Sequence, residues 1–188
     1  MGRQRATRPP RRRFFLGGEG QSELGYGALL QRLADDVPQL RIHIELHDLR
    51  GGDPLSIVQG AIARRARQIR FRGAFEASAL LLDADRRGEE PERDAQIEPL
   101  AQQNSLLLVW QRPCHEALLI HHLPNCQSLA PQNSSAAHFH LRRVWSVYQK
   151  PMSARQLQTR IGLAELLRAA MVERASGSFE FTRISLAL

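Results

Sequence analysis

The stretch Phe14-Phe15-Leu16-Gly17-Gly18-Glu19-Gly20-Gln21-Ser22-Glu23 decides how the chain is read. Aromatic and aliphatic residues in a row suit a buried strand. Gly17, Gly18 and Gly20 follow, and glycine adopts backbone angles that other residues avoid. Ser22 is a capping residue for a helix that starts there. The segment therefore predicts a strand, a turn and a helix, with Glu19 at the carboxyl end of the strand. Open α/β sheets place their ligands at that end. A glycine-rich turn with one glutamate is equally the look of a plain solvated connection. The rest of the chain decides between the two.

Residues 78–85 read Ser-Ala-Leu-Leu-Leu-Asp-Ala-Asp, a continuous apolar run ending in acids. That predicts a central strand buried on both faces. Residues 105–111, Ser-Leu-Leu-Leu-Val-Trp-Gln, predict a second buried strand. Residues 40–47 alternate apolar and polar, which predicts an edge strand with one wet face. His43, Glu45 and His47 share that face, as solvated side chains or as ligands of a metal. Helical patterns lie between the strands. Residues 21–33 carry Leu24, Leu29, Leu30 and Leu33 on one side, and residues 55–70 carry Leu55, Val58, Ile62 and Ile69. Residues 91–103 and 113–122 are further helices, the last with Pro113 in its first turn, where a missing N–H costs nothing. Strands alternating with helices predict an α/β fold: a mainly parallel, Rossmann-like sheet flanked by helices. Beyond them, 123–137 reads as a polar loop, 142–148 as a short helix and 152–174 as a long helix. Residues 178–188 alternate and add a terminal strand. The fold thus has a helical C-terminal part.

At 188 residues the chain is expected to be one domain, 13–188, preceded by a flexible basic arm over 1–12. No apolar run approaches the roughly 18 residues of a membrane span. The N-terminus has the basic residues of a signal peptide but not the apolar segment that should follow. Two cysteines, Cys114 and Cys126, make no disulfide framework, and a reducing cytoplasm is the expected location. The net charge of +7 is concentrated in residues 1–13, which hold six arginines and no acid. Such an arm binds nucleic acid or simply keeps the chain soluble. Arg11, Arg12, Arg13 and Arg86 are the candidate nucleic-acid contacts. Arg64, Arg65, Arg67, Arg70 and Arg72 crowd a helix end, where cations suit the dipole; they are solvated there or touch a polynucleotide backbone.

Asp83 and Asp85 stand two apart at a strand end, so in an extended backbone both carboxylates face the same way. With Glu19 they form a set of hard oxygen ligands for Mg²⁺ or Mn²⁺, water and substrate phosphate completing the shell. Such a cluster is costly unless a cation neutralises it. A divalent ion there serves phosphoryl chemistry. Glu23 or Glu116, pointing inward, would allow a second ion. Glu19 or Glu116 is the candidate general base.

Strand, Glu19-Gly20, helix, then strand with Asp83-Ala84-Asp85 resembles the Toprim domain of topoisomerases, primases and related nucleases. More narrowly, the chain resembles the RloB-like family. The matching segments are Glu19-Gly20-Gln21-Ser22-Glu23, Asp83–Asp85, Pro113-Cys114-His115-Glu116 with Leu118-Leu119-Ile120 and His122, and Tyr148-Gln149-Lys150. They run in order from about residue 13 to 170. His115 replaces the family's Phe, Leu118 its Trp, and Gln111-Arg112 its Ser-Asn. The resemblance implies a Toprim-like fold and a metal-dependent, nuclease-like protein met near phage-defence and restriction genes. In it Glu19, Asp83 and Asp85 hold the metal, Glu116 joins the catalytic set, and Glu23, His122 and Lys150 support it. Glu116 and His122 are six apart and would not share a helix face; His121 and His122 also fit a solvent-exposed helix end. Members often accompany an ATPase partner, and assembly as a homo-oligomer stays open. The alternative is a non-catalytic Toprim-like scaffold or regulatory subunit of a defence complex.

Overall fold

The computed structural model describes residues 10–50 and 52–176, with side chains as far as residue 171. Four strands, β1 (Arg12–Gly18), β2 (Ile42–Asp48), β3 (Ala77–Asp83) and β4 (Leu107–Gln111), form a sheet in the order β2-β1-β3-β4. Every pairing is parallel. Parallel neighbours need a crossover, and here each crossover is a helix. Helix α1 (Gln21–Asp35) leads from β1 to β2, α2 (Pro54–Arg72) from β2 to β3, and α3 (Pro91–Gln103) from β3 to β4. The chain moves one way across the sheet and then reverses. Right-handed crossovers therefore put α1 on one face and α2 and α3 on the other.

The pleat sorts the core accordingly. Phe14, Leu16, Ile44, Leu81 and Val109 pack with α1 and the later helices. Phe15, Leu80, Leu82, Leu108 and Trp110 pack with α2 and α3. The later helices are α4 (His115–His122), α5 (Ser134–Val144), α6 (Ala154–Gln158) and α7 (Leu163–Ser176). They cover the α1 face: α6 packs on α1, and α5 and α7 pack on α4.

Several expectations are corrected by packing. The polar side of β2 is not a wet face beyond His43. Glu45 pairs with Arg13 at 2.8 Å, and the His47 ring stacks on Phe15 with centroids 4.3 Å apart. Pro113 does not open a helix turn: Arg112–Pro113 is a cis peptide, Cys114 is the N-cap, and α4 begins at His115. The polar run before Ala136 is a helix start rather than loop, because the Asn133 side chain accepts from Ala136 N at 2.8 Å. That helix ends at Val144, so 145–148 lies outside it. The single long helix over 152–174 is two helices, broken between Gln158 and Leu163. Ile161 in the break is fully buried, so the apolar rhythm continues where the helix does not. The expected strand over 178–188 and most of the basic arm lie outside the described residues.

Two glycines separate close approach from open space. A Cβ on Gly25 would stand 2.1 Å from the Met152 carbonyl oxygen, a backbone atom, where α1 meets the turn before α6. A Cβ on Gly60 in α2 meets nothing within 4 Å. Gly25→Ala is expected to destabilise by about 1–3 kcal/mol, and Gly60→Ala to stabilise by up to about 1 kcal/mol. Urea titrations of the two variants check both signs.

Candidate active site

β1 and β3 are neighbours, but the chain leaves them towards opposite edges of the sheet. The connections part there and leave a crevice at the carboxyl ends, the topological switch point. Glu19 directly follows β1, and Asp83 is the last residue of β3. The backbone N–H of Asp83 donates to Glu19 Oε1 at 2.8 Å, tying the two strand tips together.

The turn works by closeness rather than by unusual angles. None of Gly17, Gly18 and Gly20 has a positive φ. Gly18 is small because a Cβ there would stand 2.3 Å from Glu23 Cβ. Gly20, in extended backbone, is the N-cap of α1, and Ser22 lies inside the helix instead of capping it. Glu23 serves the helix start by accepting from Gly20 N at 3.0 Å.

These carboxylates stand in each other's field. Burial pushes the Glu19 carboxyl up to about 7; the charges of Glu23 and Asp85 add to this, against the Asp83 N–H bond and Arg86. Burial likewise pushes Asp83 up to about 8, with Glu23, Glu19 and Asp85 repelling and Lys150 opposing. Glu23 is also raised, chiefly by burial. Asp83 Oδ1 is buried with no hydrogen-bond partner among the described residues.

Behind them lies a buried polar layer on α4. Glu116 accepts from the Tyr148 hydroxyl at 3.0 Å, Lys150 Nζ approaches at 3.1 Å, and the Cys114 thiol points at it from 3.2 Å. Burial alone would raise the Glu116 carboxyl, but the Cys114 hydrogen bond and the Lys150 charge outweigh it and hold it at about 2. A carboxylate that acidic is a weak base at neutral pH. Glu116 thus serves as an anchor for Lys150 and Tyr148. Lys150 remains charged: burial alone would lower its amine, and Glu116 more than offsets that.

The neighbouring histidines are neutral. His115 is fully buried, and burial pushes it down to about 4. Its Nδ1 lies 2.9 Å from Gln111 Nε2 and 3.5 Å from Glu23 Oε1. His122 is not a solvent-exposed helix end. It is fully buried, pushed down to about 3 by burial, and its Nε2 meets the Tyr26 hydroxyl at 2.9 Å under a stacked ring. Glu116 faces Lys150 while His122 faces Tyr26, so the two do different work, as their spacing requires.

Asp85 falls outside the shared direction expected of it. The extended backbone stops at Asp83, and residues 85–88 form a turn in which Ser134 Oγ donates to Asp85 Oδ2 at 2.8 Å. Its charge still reaches Glu19 and Asp83. Among the described residues, no group of three or more His, Cys, Asp or Glu has a metal-holding arrangement. Arg86 lies on the rim, donating to Gly52 O at 2.9 Å. Arg11, Arg12 and Arg13 do not reach the crevice. They sit at the amino end of β1 and pair with Asp35, Glu76 and Glu45. A seven-residue strand puts about 20 Å between them and Glu19.

Tyr26, Gln111 and His115 were not foreseen as members of the site. One signal was present: a tyrosine on the apolar side of a helix needs a partner for its hydroxyl once buried.

The fold and crevice together define an α/β protein with an all-parallel four-stranded sheet flanked by helices, in the Rossmann-like layout, with carboxylates gathered at its switch point. Compared with known proteins, the chain matches no family model, no curated protein and no solved structure. No described helix is long and apolar enough to cross a membrane.

The raised carboxyls have a consequence for stability. The folded protein keeps protons on Glu19 and Asp83 up to about 7 and 8, whereas the unfolded chain has lost them by then. Their contribution is present at low pH and is lost as pH rises through those values. His115 and His122 act oppositely, but only below the ordinary histidine value of 6.5. Metal-free protein is therefore expected to lose stability between about pH 6.5 and 8, and Asp83→Asn to raise Tm by roughly 2 to 6 °C at pH 8. Thermal melts in EDTA across that window check both. Tyr26→Phe leaves the buried His122 Nε2 without its hydroxyl and is expected to cost about 1–2 kcal/mol in a urea titration.

Proposed function

We propose that the chain is a Mg²⁺- or Mn²⁺-dependent nuclease of the Toprim-like group, and more narrowly RloB-like, hydrolysing nucleic-acid phosphodiesters in a phage-defence or restriction-linked setting. The observation that supports this most is Asp83 beside Glu19: two partly buried carboxyls forced up chiefly by burial, with neighbouring acids adding to it, and one with an oxygen that has no hydrogen-bond partner among the described residues. A divalent cation fits them on chemistry. The donors are hard oxygens, and magnesium ordinarily takes only one or two carboxylates beside water and phosphate. Glu19 and Asp83 would hold it, with Glu23 and Asp85 adding negative field. Bound there, the ion supplies positive charge that polarises a phosphodiester and steadies the attacking and leaving oxygens.

The chain's own groups supply the rest. The Asp83 N–H fixes Glu19 in place. Lys150, about half exposed and held by Glu116, presents an ammonium beside the same carboxylates, where a substrate phosphate needs one. Glu116 keeps that ammonium charged and aimed. Arg86 on the rim offers a contact to the next phosphate. An ATPase partner belongs to the same proposal and rests on the resemblance alone. A second reading, a non-catalytic Toprim-like scaffold or regulatory subunit, is favoured by one observation: Asp85 is engaged with Ser134 rather than turned to the other acids.

A cleavage assay separates the two. Purified protein meets labelled single-stranded and double-stranded DNA and an RNA panel, with Mg²⁺, Mn²⁺ or EDTA. Cutting that requires metal and falls at least about 100-fold in Asp83→Asn is the expected outcome. No cutting, together with no rise in Tm on adding metal, would leave the scaffold reading standing.

A further inference from the structure

The second half of α2 carries charge that nothing in the described protein answers. The helix holds Arg64, Arg65, Arg67, Arg70 and Arg72 and no aspartate or glutamate. Several exposed arginines elsewhere pair with acids, Arg11 with Asp35, Arg12 with Glu76, Arg87 with Glu98 and Arg93 with Asp53, while Arg142, Arg143 and Arg155 stand without an acid partner among the described residues but not as a row of this length. Arg65 donates to the Ser105 carbonyl, but Arg64, Arg67, Arg70 and Arg72 have no side-chain partner among the described residues. The helix dipole accounts for Arg70 and Arg72, which lie in the last turn. It does not account for Arg64 and Arg67, further back.

Core packing does not explain this half of the helix either. The buried residues of α2 are Pro54, Leu55, Ile57, Val58 and Ala61, all in its first half. Beyond them Phe71 is 80% exposed. Positions 64, 67 and 71 follow helical spacing and share one side of the helix. A bare aromatic ring therefore stands at the end of a row of uncompensated guanidiniums. The row ends at the amino end of the sheet, where Arg13 Nη1 donates to the Gly73 carbonyl, and lies on the α2 face rather than in the carboxylate crevice.

We propose that the second half of α2 is a docking surface for single-stranded nucleic acid, with Arg64, Arg67 and Arg70 on its phosphates and Phe71 against a base. Charge complementarity names a polyanion. The exposed ring selects single strands, because a base face is open to stacking only when it is out of a duplex. An anionic membrane fits less well, since the continuous apolar side of α2 faces the core and not the surface. The inference goes beyond the nuclease reading. It needs a nucleic-acid partner but no cleavage.

The test is fluorescence anisotropy of a labelled thymidine oligonucleotide of about twenty residues, titrated with the full chain in EDTA over a salt series. Changing Arg64 and Arg67 together to Ala is expected to reduce the slope of log K against log salt by about 1.4. Phe71→Ala is expected to weaken binding roughly 5- to 100-fold; at a site this exposed the variant keeps its fold. Arg155→Ala, an exposed arginine on α6 across the sheet from α2, is expected to bind like the wild type. Binding retained by a wild-type protein that cuts nothing and gains no Tm from metal would overturn the nuclease reading and leave this one intact. Unchanged affinity in both α2 variants would overturn the docking surface. So would a duplex bound as tightly as the single strand with no effect of Phe71→Ala, or tighter binding to phosphatidylglycerol vesicles than to the oligonucleotide.

Discussion

Phe14 to Gly18 pair with Ala77 to Leu81 in parallel register, and the rest of the structure depends on that pairing. A whole helix–strand–helix unit separates the two strands in sequence, yet they form the middle of the sheet. Their contact puts Glu19 against the Asp83 backbone and makes the two neighbouring connections diverge. The crevice, the crowding of acids and the burial of Glu23 beneath Gly18 all follow from it. Each strand tip alone would be an ordinary solvated turn.

Within that crevice the same residue type is treated in two opposite ways. Glu116 is given a hydroxyl, a thiol and an ammonium, and its carboxyl is held at about 2. Glu19 and Asp83 are given little beyond one backbone N–H, and theirs rise to about 7 and 8. The protein has the means to satisfy a buried carboxylate and uses them on one acid only. Carboxyls left so poorly satisfied at the mouth of a crevice mark a candidate functional place rather than one arranged for stability. Neutral His115 and His122 fit that division, since they fill space behind the acids without adding positive charge.

Much of this was legible in the residues because it rests on local rules. Apolar runs ending in acids at Gly18-Glu19 and Leu82-Asp83 marked the central strands, and the alternation with helical patterns marked a parallel sheet. What escaped depended on tertiary contacts. The buried Ile161 kept an apolar rhythm going through a break in the helix. The turn after Asp83 swung Asp85 towards Ser134, which strand periodicity cannot foresee. Ser22 resembled a cap, but the geometry of Gly20 and Glu23 took that job. The polar run at Asn133 looks like loop in sequence because caps and loops share a composition. The histidines on α4 were ambiguous because a polar residue at a helix end is buried or exposed according to what packs beside it, here Tyr26.

The position of Lys150 bears on how the protein is made. Glu19 and Asp83 leave the ribosome well before it, and the last described strand of the sheet that holds them ends at Gln111. Until the segment bearing Tyr148 and Lys150 has emerged and settled on α4, the nascent crevice contains acids without their neighbouring ammonium. A stretch synthesised after the four described strands thus supplies the counter-charge to the acids at two of their tips. A chain that stops soon after Gln111 can contain all four described strands and still lack a balanced site. Completion of the described sheet and completion of the site are, for this fold, separate events.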